Sequence, residues 1–152
     1  MKQHIAFWLS VSLLAGCTGF GAAPDDKVET TRDGTSTATT IADYKKDVAQ
    51  RISYVNSTKV FSGRPQALLR SVVVLKYHVD RDGHLVRSEI MRGNRDPETE
   101  GIALASLKNA APFPKPASHL LRQGRVEIAE SWLFNNDGRF QLRSVALPQM
   151  DE

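Results

Sequence analysis

The chain is poor in cysteine and in long apolar runs. Cys17 is its single cysteine among 152 residues. One thiol cannot close a disulfide within a chain, and it excludes a zinc module built from several cysteines. The apolar run over residues 5–14 is about half of the roughly 20 residues that span a bilayer. These shortages predict a globular chain without internal cross-links and without a permanent transmembrane helix.

Charge of one sign is not in strong excess either. The 20 basic and 17 acidic residues leave a formal net charge of +3 at pH 7. The chain has no dense basic run of the kind that follows a phosphate backbone, so nucleic acid is not an expected partner. Its 41% hydrophobic and 24% charged residues also exclude collagen-like, coiled-coil and wholly disordered chains.

Sequence motifs of common catalytic and cofactor sites are missing. No glycine-rich loop could cradle a phosphate, and Ser131 does not stand in the Gly-x-Ser-x-Gly turn of serine hydrolases. We therefore predict that the protein is not an enzyme, has no catalytic residue and uses no cofactor.

The N-terminal region has the three-part layout of a secretory signal. Lys2 gives the positive start, residues 5–14 give the apolar middle, and small residues precede Cys17. The Leu-Ala-Gly-Cys segment at residues 14–17 resembles the bacterial lipobox, in which the cysteine is lipidated and becomes the new N-terminus. An ordinary signal peptide that contains a cysteine is the alternative. We expect residues 1–16 to be a lipoprotein signal peptide and Cys17 to carry the lipid.

The residues after the cysteine predict where the domain is held. The residue after the cysteine is Thr18 and not an aspartate. This resembles the sorting signal of proteobacterial lipoproteins that go to the outer membrane rather than the inner membrane. Residues 17–40 are rich in Thr, Gly, Ala, Ser and Asp, which predicts a lipidated, disordered tether. We expect an anchored protein on the periplasmic face of the outer membrane, with one domain over 41–147 and a tail over 148–152.

Hydrophobic periodicity in the domain predicts the element order α-β-β-α-β-β. Apolar residues recur at helical spacing over 41–55, with Thr40 at the N-cap. Asp96 followed by Pro97 begins a second helix. We expect an α+β domain with two helices packed on one face of a small antiparallel sheet. The expected strands, paired through tight turns, are 69–80, 84–91, 125–134 and 139–145.

Two histidines and two aspartates cluster around the first turn between strands. A hairpin there could bring the two histidines together as metal ligands. Asp-Arg-Asp-Gly is nevertheless a common turn composition, and the further ligands of a calcium loop are missing. We predict no metal, and a small metal- or ligand-binding lipoprotein is the alternative. The four residues are His78, Asp80, Asp82 and His84.

Aromatic residues of the last hairpin could form either core or an exposed platform. Trp132 and Phe134 share a strand face with Val126 and Ile128, which favours core packing. The last strand also carries polar side chains at the predicted sheet edge. The candidate partner-binding residues are Arg139, Gln141, Arg143 and Trp132.

Residues 41–146 resemble the C-terminal domain of the TonB/TolA family of periplasmic energy-transducing proteins. The resemblance is carried by the strand at 72–79 with its Asp-Gly turn, by the helix at 103–107 that ends in Pro-Phe-Pro-x-Pro at 112–116, and by the strand at 126–134. It implies a non-catalytic domain that binds extended segments of partner proteins by adding a strand to its sheet edge.

The resemblance has departures as well as matches. The family's inner-membrane helix and Pro-rich spacer are replaced by the lipobox and the Thr-rich tether, and Gly-Arg-Pro-Gln at 63–66 stands where the family has a Tyr-Pro element. The expected partner is an unidentified envelope protein, and a structural part of an envelope or secretion assembly is the alternative. Because strand 139–145 is expected to fold back on 126–134, it should fill the family's binding edge and block strand addition.

Overall fold

The computed structural model describes residues 28–150. The predicted signal peptide, Cys17 and the first part of the predicted tether therefore lie outside the described residues. Over the stretch from 28 to 150, no helix has the length and apolar character needed to cross a membrane.

The described chain is an α+β domain of two helices and a four-stranded antiparallel sheet, as predicted. The elements are α1 (Ile41–Val55), β1 (Ser71–Asp80), β2 (Leu85–Arg92), α2 (Pro97–Ala110), β3 (Arg125–Phe134) and β4 (Phe140–Leu142). Their order is the predicted one, but the last strand has three residues in place of the seven expected.

Side-chain caps fix the start of both helices. The Thr40 hydroxyl accepts a hydrogen bond from the Asp43 N–H at 3.1 Å, and the Asp96 carboxylate accepts one from the Thr99 N–H at 3.3 Å. Each cap satisfies a backbone donor that a helix leaves without an intrahelical partner. Pro97 follows Asp96 in the first turn of α2, where its missing N–H removes no helical bond.

The sheet has the strand order β2-β1-β3-β4. β1 and β3 pair over their whole lengths without a break in register, and they form its centre. The pairing of β1 with β2 is interrupted twice, between Val74 and Leu75 and between His78 and Val79. A regular central pair and an irregular outer pair therefore make up most of the sheet.

One face of the sheet carries the core. Alternate residues of β1, β3 and β4 are buried, and α1 and α2 contact the strands and each other. The other face, which we call the open face, has half-buried and exposed side chains. The largest fully buried side chains include Trp132, Tyr44, Tyr77, Phe134 and Phe140.

The segment before α1 is attached to the domain. Residues 30–36, here called the N-terminal strap, form a small turn, and the Ser36 N–H donates to the Lys115 carbonyl at 2.8 Å. The Lys115 N–H donates in turn to the Gly34 carbonyl at 3.0 Å. Ser36 is buried, and its hydroxyl donates to the Asp47 carboxylate. The prediction of disorder over 17–40 is therefore wrong for the strap, because backbone pairing holds a segment that has few apolar side chains.

The C-terminal end of the described chain is attached too. The Arg64 guanidinium donates to the Pro148 carbonyl at 3.0 Å and to the Gln149 carbonyl at 2.6 Å. The Met150 N–H donates to the Pro65 carbonyl at 2.9 Å. The predicted tail thus packs on the loop that precedes β1, at least as far as residue 150.

Candidate functional site

β4 covers only one end of β3. It pairs with Trp132–Phe134 and with nothing before them. After Leu142 the chain turns, with the Val145 N–H donating to the Leu142 carbonyl at 3.1 Å. The expectation that residues 139–145 fill the whole outer edge of β3 is therefore wrong, because the chain leaves that edge after three paired residues.

The hydrogen bonds to β4 show which residues of β3 direct their backbone groups outward. The Arg143 N–H donates to the Ser131 carbonyl at 3.0 Å, and the Asn135 N–H donates to the Arg139 carbonyl at 2.9 Å. Backbone groups alternate between the two sides of a strand, so odd-numbered residues face this edge. Glu127 and Ala129 consequently direct their N–H and C=O groups outward, and no residue between 28 and 150 bonds to them there.

Both ends of this unpaired stretch are closed by other parts of the chain. The Arg122 N–H donates to the Arg125 carbonyl at 2.8 Å, and the Arg125 N–H donates back at 3.2 Å. At the other end, the Ser131 N–H donates to the Glu130 carboxylate at 2.7 Å. Only the outward groups of Glu127 and Ala129 stay open between them. We call residues 127–129 the β3 window.

Glu130 is the residue that stops β4. It lies on the core face opposite Leu75, is almost fully buried, and accepts a hydrogen bond from the Ser144 hydroxyl as well. The Lys45 ammonium is 3.8 Å from its carboxylate. The carboxylate accepts the hydrogen bond of the Ser131 N–H, which a longer β4 would need for its own pairing. An inward-directed charge of this kind limits strand pairing at an edge. Sequence reasoning did not single out Glu130, although a charge among alternating apolar residues was a visible signal.

The opposite edge of the sheet, β2, is less regular and more charged. Two register shifts interrupt its pairing with β1. On its open face, Glu89 accepts from the Lys76 ammonium at 2.8 Å, which lowers the pKa of the Glu89 carboxyl below its ordinary value. Arg87 lies 3.3 Å from the same carboxylate. Bulges discourage pairing at an edge, and β3 has no register shift in its pairing with β1, so the β3 window is the better candidate for a docking site.

Trp132 is not available to a partner, which corrects its place among the candidate partner-binding residues. It is fully buried, and its indole N–H donates to the Ser106 hydroxyl at 2.9 Å. The alternative expectation, that the aromatic residues of β3 pack in the core, is confirmed for Trp132 and Phe134. An inward position on the sheet and a partner inside the domain leave no surface to contact.

Two other candidates, Gln141 and Arg139, hold a loop of the domain itself. The Gln141 amide donates to the Phe61 carbonyl at 2.7 Å and also to the Gly63 carbonyl. The Arg139 guanidinium bonds to Asp137 at 2.7 Å and lies 5.1 Å from the centre of the Phe61 ring. The Phe61 N–H donates to the Phe140 carbonyl at 2.9 Å, so this loop covers the outer edge of β4. Arg143, the remaining candidate, is exposed beside the β3 window.

The turn between β1 and β2 brings three of the four candidate metal ligands together. Ligand atoms of Asp80, Asp82 and His84 lie within 4.8 Å of one another. The Asp80 carboxylate accepts from the N–H groups of Asp82 and His84, both at 2.9 Å. Burial raises the pKa of this carboxyl and the two backbone donors lower it, with a net pKa below the ordinary value. The carboxylate therefore already serves the turn as a backbone acceptor.

The fourth candidate, His78, lies on the open face and not in that turn. Its Nε2 is 3.0 Å from the Glu127 carboxylate, across the β1–β3 pair. Side chains directly opposite each other on paired strands interact most closely, so this contact follows from the register. It places His78 next to the β3 window.

Comparison with known proteins assigns no family to the chain. No family model, no curated protein and no solved structure matches it. The resemblance to the TonB/TolA domains therefore stays a prediction.

Proposed function

We propose that this chain is a membrane-anchored periplasmic lipoprotein whose non-catalytic domain binds an extended segment of another envelope protein. The observation that carries the proposal is the β3 window, where Glu127 and Ala129 direct unpaired backbone groups outward from a regular strand. A segment that adds there gains main-chain hydrogen bonds, which supply affinity in strand-addition complexes. The TonB/TolA-like order of motifs supports the same mode of binding.

The position of the window suits a short segment. Arg122 closes one end and Glu130, with Ser144, closes the other, so a partner can pair opposite about five residues of β3. Strand addition at so short a stretch gives a modest affinity, and side-chain contacts around it then decide which partner is bound. This is the behaviour expected of an interaction module that releases its partner readily.

Residues 14–17 and Thr18 support the membrane part of the proposal. If Cys17 carries several acyl chains, as in lipoproteins with this motif, anchoring is stable, because two or more chains are needed for lasting membrane attachment. Mass spectrometry of the protein from membranes tests this. We expect a mature chain that begins at lipidated Cys17, and a mature chain that begins elsewhere would contradict the anchor.

Photocrosslinking in intact cells tests the binding mode. A photoreactive amino acid in place of Glu127, which is exposed at the window, should attach the partner, whereas the same amino acid in place of exposed Lys59 should not.

The variant Ala129→Pro removes the outward N–H and leaves the β1 ladder intact, since proline is tolerated where a strand's N–H faces solvent. Ala129→Ser keeps this N–H and is the matched control. We expect Ala129→Pro to abolish the crosslink from position 127 and Ala129→Ser to preserve it. Equal crosslinking by both variants would show that strand addition is not the binding mode.

A further inference from the structure

Three arginines surround the β3 window. Arg125 belongs to β3 and Arg122 is bridged to it at one end of the window, while the backbone of Arg143 bonds to Ser131 at the other end. All three side chains are exposed. The window is therefore bordered by positive charge at both ends.

These arginines have no acidic partner within the domain. Over residues 28–150, no ion pair is formed by Arg122, Arg125 or Arg143. Other arginines do form ion pairs. Arg70 bonds to two carboxylates at 2.9 and 2.6 Å, and Arg139 bonds to one at 2.7 Å. An unpaired cation beside an open backbone edge can interact with a charge that arrives on the paired segment.

The alternation of the strands places the arginines on the same face. Arg125 and Glu127 are odd-numbered residues of β3 and lie on the open face. Gln141 is opposite Leu133 on that face, and Arg143, two residues further on, continues the alternation. Alternate side chains of a segment paired with the window therefore lie on the open face, beside these arginines.

The two open-face residues of the window, Glu127 and Ala129, differ in their size and in their contacts. Glu127 is engaged by His78 at 3.0 Å. Ala129 is small and exposed, and it lies opposite Lys76, which is already paired with Glu89 at 2.8 Å. A long acidic side chain opposite Ala129 would therefore have Arg143 as its nearest unpaired cation. Opposite charges on adjacent strands stabilise a pair, and like charges destabilise it.

We propose that the β3 window selects extended segments that carry acidic side chains near their ends, and that Arg125 and Arg143 are the residues that select them. This inference rests on the proposed function, because it names the chemistry of the partner at the same edge. The occupant is an acidic stretch of another polypeptide.

The test compares three blocked pentapeptides with valine at the first and fifth positions and threonine at the third. Their second and fourth residues, which lie on the open face when the peptide pairs with residues 126–130, are both Glu, both Gln or both Lys. Binding to the ¹⁵N-labelled full chain is followed through the amide resonances of Glu127 and Ala129. We expect the Glu peptide to bind about threefold to tenfold more tightly than the Gln peptide, and the Lys peptide to bind more weakly than both. Added salt should reduce these differences.

Charge reversal provides the second arm. In the double variant Arg125→Glu with Arg143→Glu, the order of the three peptides should invert. The control is Lys59→Glu with Arg92→Glu, which makes the same change in net charge at exposed residues away from the window. It should keep the original order. The dispersion of the amide spectrum shows that each variant is folded, and Arg143→Gln alone should weaken the Glu peptide about twofold.

Each outcome decides a different claim. If all three peptides shift the window resonances with equal affinity, or if charge reversal leaves their order unchanged, the selection of acidic segments is overturned while strand addition stands. If none of them shifts these resonances, strand addition at the window is itself overturned. If the same resonances shift when the chain is concentrated without peptide, the occupant is a second copy of the chain, and the acidic partner is overturned.

Discussion

The indole N–H of Trp132 donates to the hydroxyl of Ser106 at 2.9 Å, and this bond joins the middle of the sheet to α2. Both residues are buried, and the Ser106 hydroxyl also donates to the Ala103 carbonyl at 2.9 Å. A polar link inside an apolar core fixes how the helix and the strand are placed, because a displaced partner would leave a buried donor unsatisfied.

Ser106→Ala should lower the free energy of unfolding by about 1–3 kcal/mol, because it leaves the Trp132 N–H buried without an acceptor. Urea unfolding measures this. Ser118→Ala, at an exposed serine, is the control and should change little. In the Trp132→Phe background the donor is absent, so Ser106→Ala should cost less there. Equal costs in both backgrounds would show that the bond contributes nothing.

Gly83→Ala should be severely destabilising and Gly34→Ala should not. The two glycines have nearly the same φ, +85° and +83°, so the backbone cost of about 1–2 kcal/mol is common to both. A methyl group at Gly83 would overlap the Phe113 carbonyl oxygen, whereas Gly34 has nothing within 4 Å. We expect Gly83→Ala to lower the melting temperature by several degrees more than Gly34→Ala. Similar losses would exclude close backbone approach as the cause.

Two aspartates of α1 should respond to pH in opposite directions. Burial raises the pKa of the Asp47 carboxyl above its ordinary value of 3.8, even though the Ser36 hydroxyl donates to it. A raised pKa in the folded state means stability that is present below pH 3.8 and is lost as the pH rises through the folded-state pKa. Asp47→Asn should therefore gain stability relative to the wild type as the pH rises from about 4 to 7.

Asp43 should show the opposite pH dependence of stability. The Thr40 hydroxyl lowers the pKa of its carboxyl below 3.8, so the ionised form is stabilised in the folded protein. That contribution is present above pH 3.8 and is lost as the pH falls through the lower folded-state pKa. Asp43→Asn should accordingly lose stability at pH 7 and match the wild type at low pH. Unfolding curves at several pH values measure both variants, and parallel pH profiles would contradict the assignments.

Deletion after Asn136 should destabilise the domain. It removes Phe140 and Leu142, both fully buried, at a cost of roughly 3–6 kcal/mol from lost apolar burial. Deletion of residues 148–152, which removes only exposed side chains from the described part, should cost much less. Thermal unfolding distinguishes the two. A truncated chain that melts with the full chain would show that β4 is not part of the core.

The regular elements could be predicted because local signals and burial agree in them. The cap at Thr40 and the spacing of Tyr44, Val48 and Ile52 predicted α1 with its observed bounds. The alternation in β3 likewise predicted residues 125–134 and the inward position of Trp132. In such segments the spacing of the apolar residues equals the repeat of the helix or strand, so the sequence pattern alone identifies both the element and its buried face.

The window could not be predicted, because contacts between distant residues define it. Nothing near Phe140 indicates that β4 ends at Leu142; the reason lies in Glu130, whose carboxylate takes the Ser131 N–H. The N-terminal strap was missed for a similar reason. Its order comes from backbone bonds to Lys115, about 80 residues away in the chain, and composition carries no information on such pairing.

The N-terminal strap also determines how the domain would bear a mechanical load. A pull applied from the N-terminal side reaches the hydrogen bonds between Gly34, Ser36 and Lys115 before it reaches α1 or the sheet. These few bonds lie outside the helices and the strands. If the chain is anchored at that end, as we propose, tension would open these bonds first, and the core and the β3 window would keep their structure.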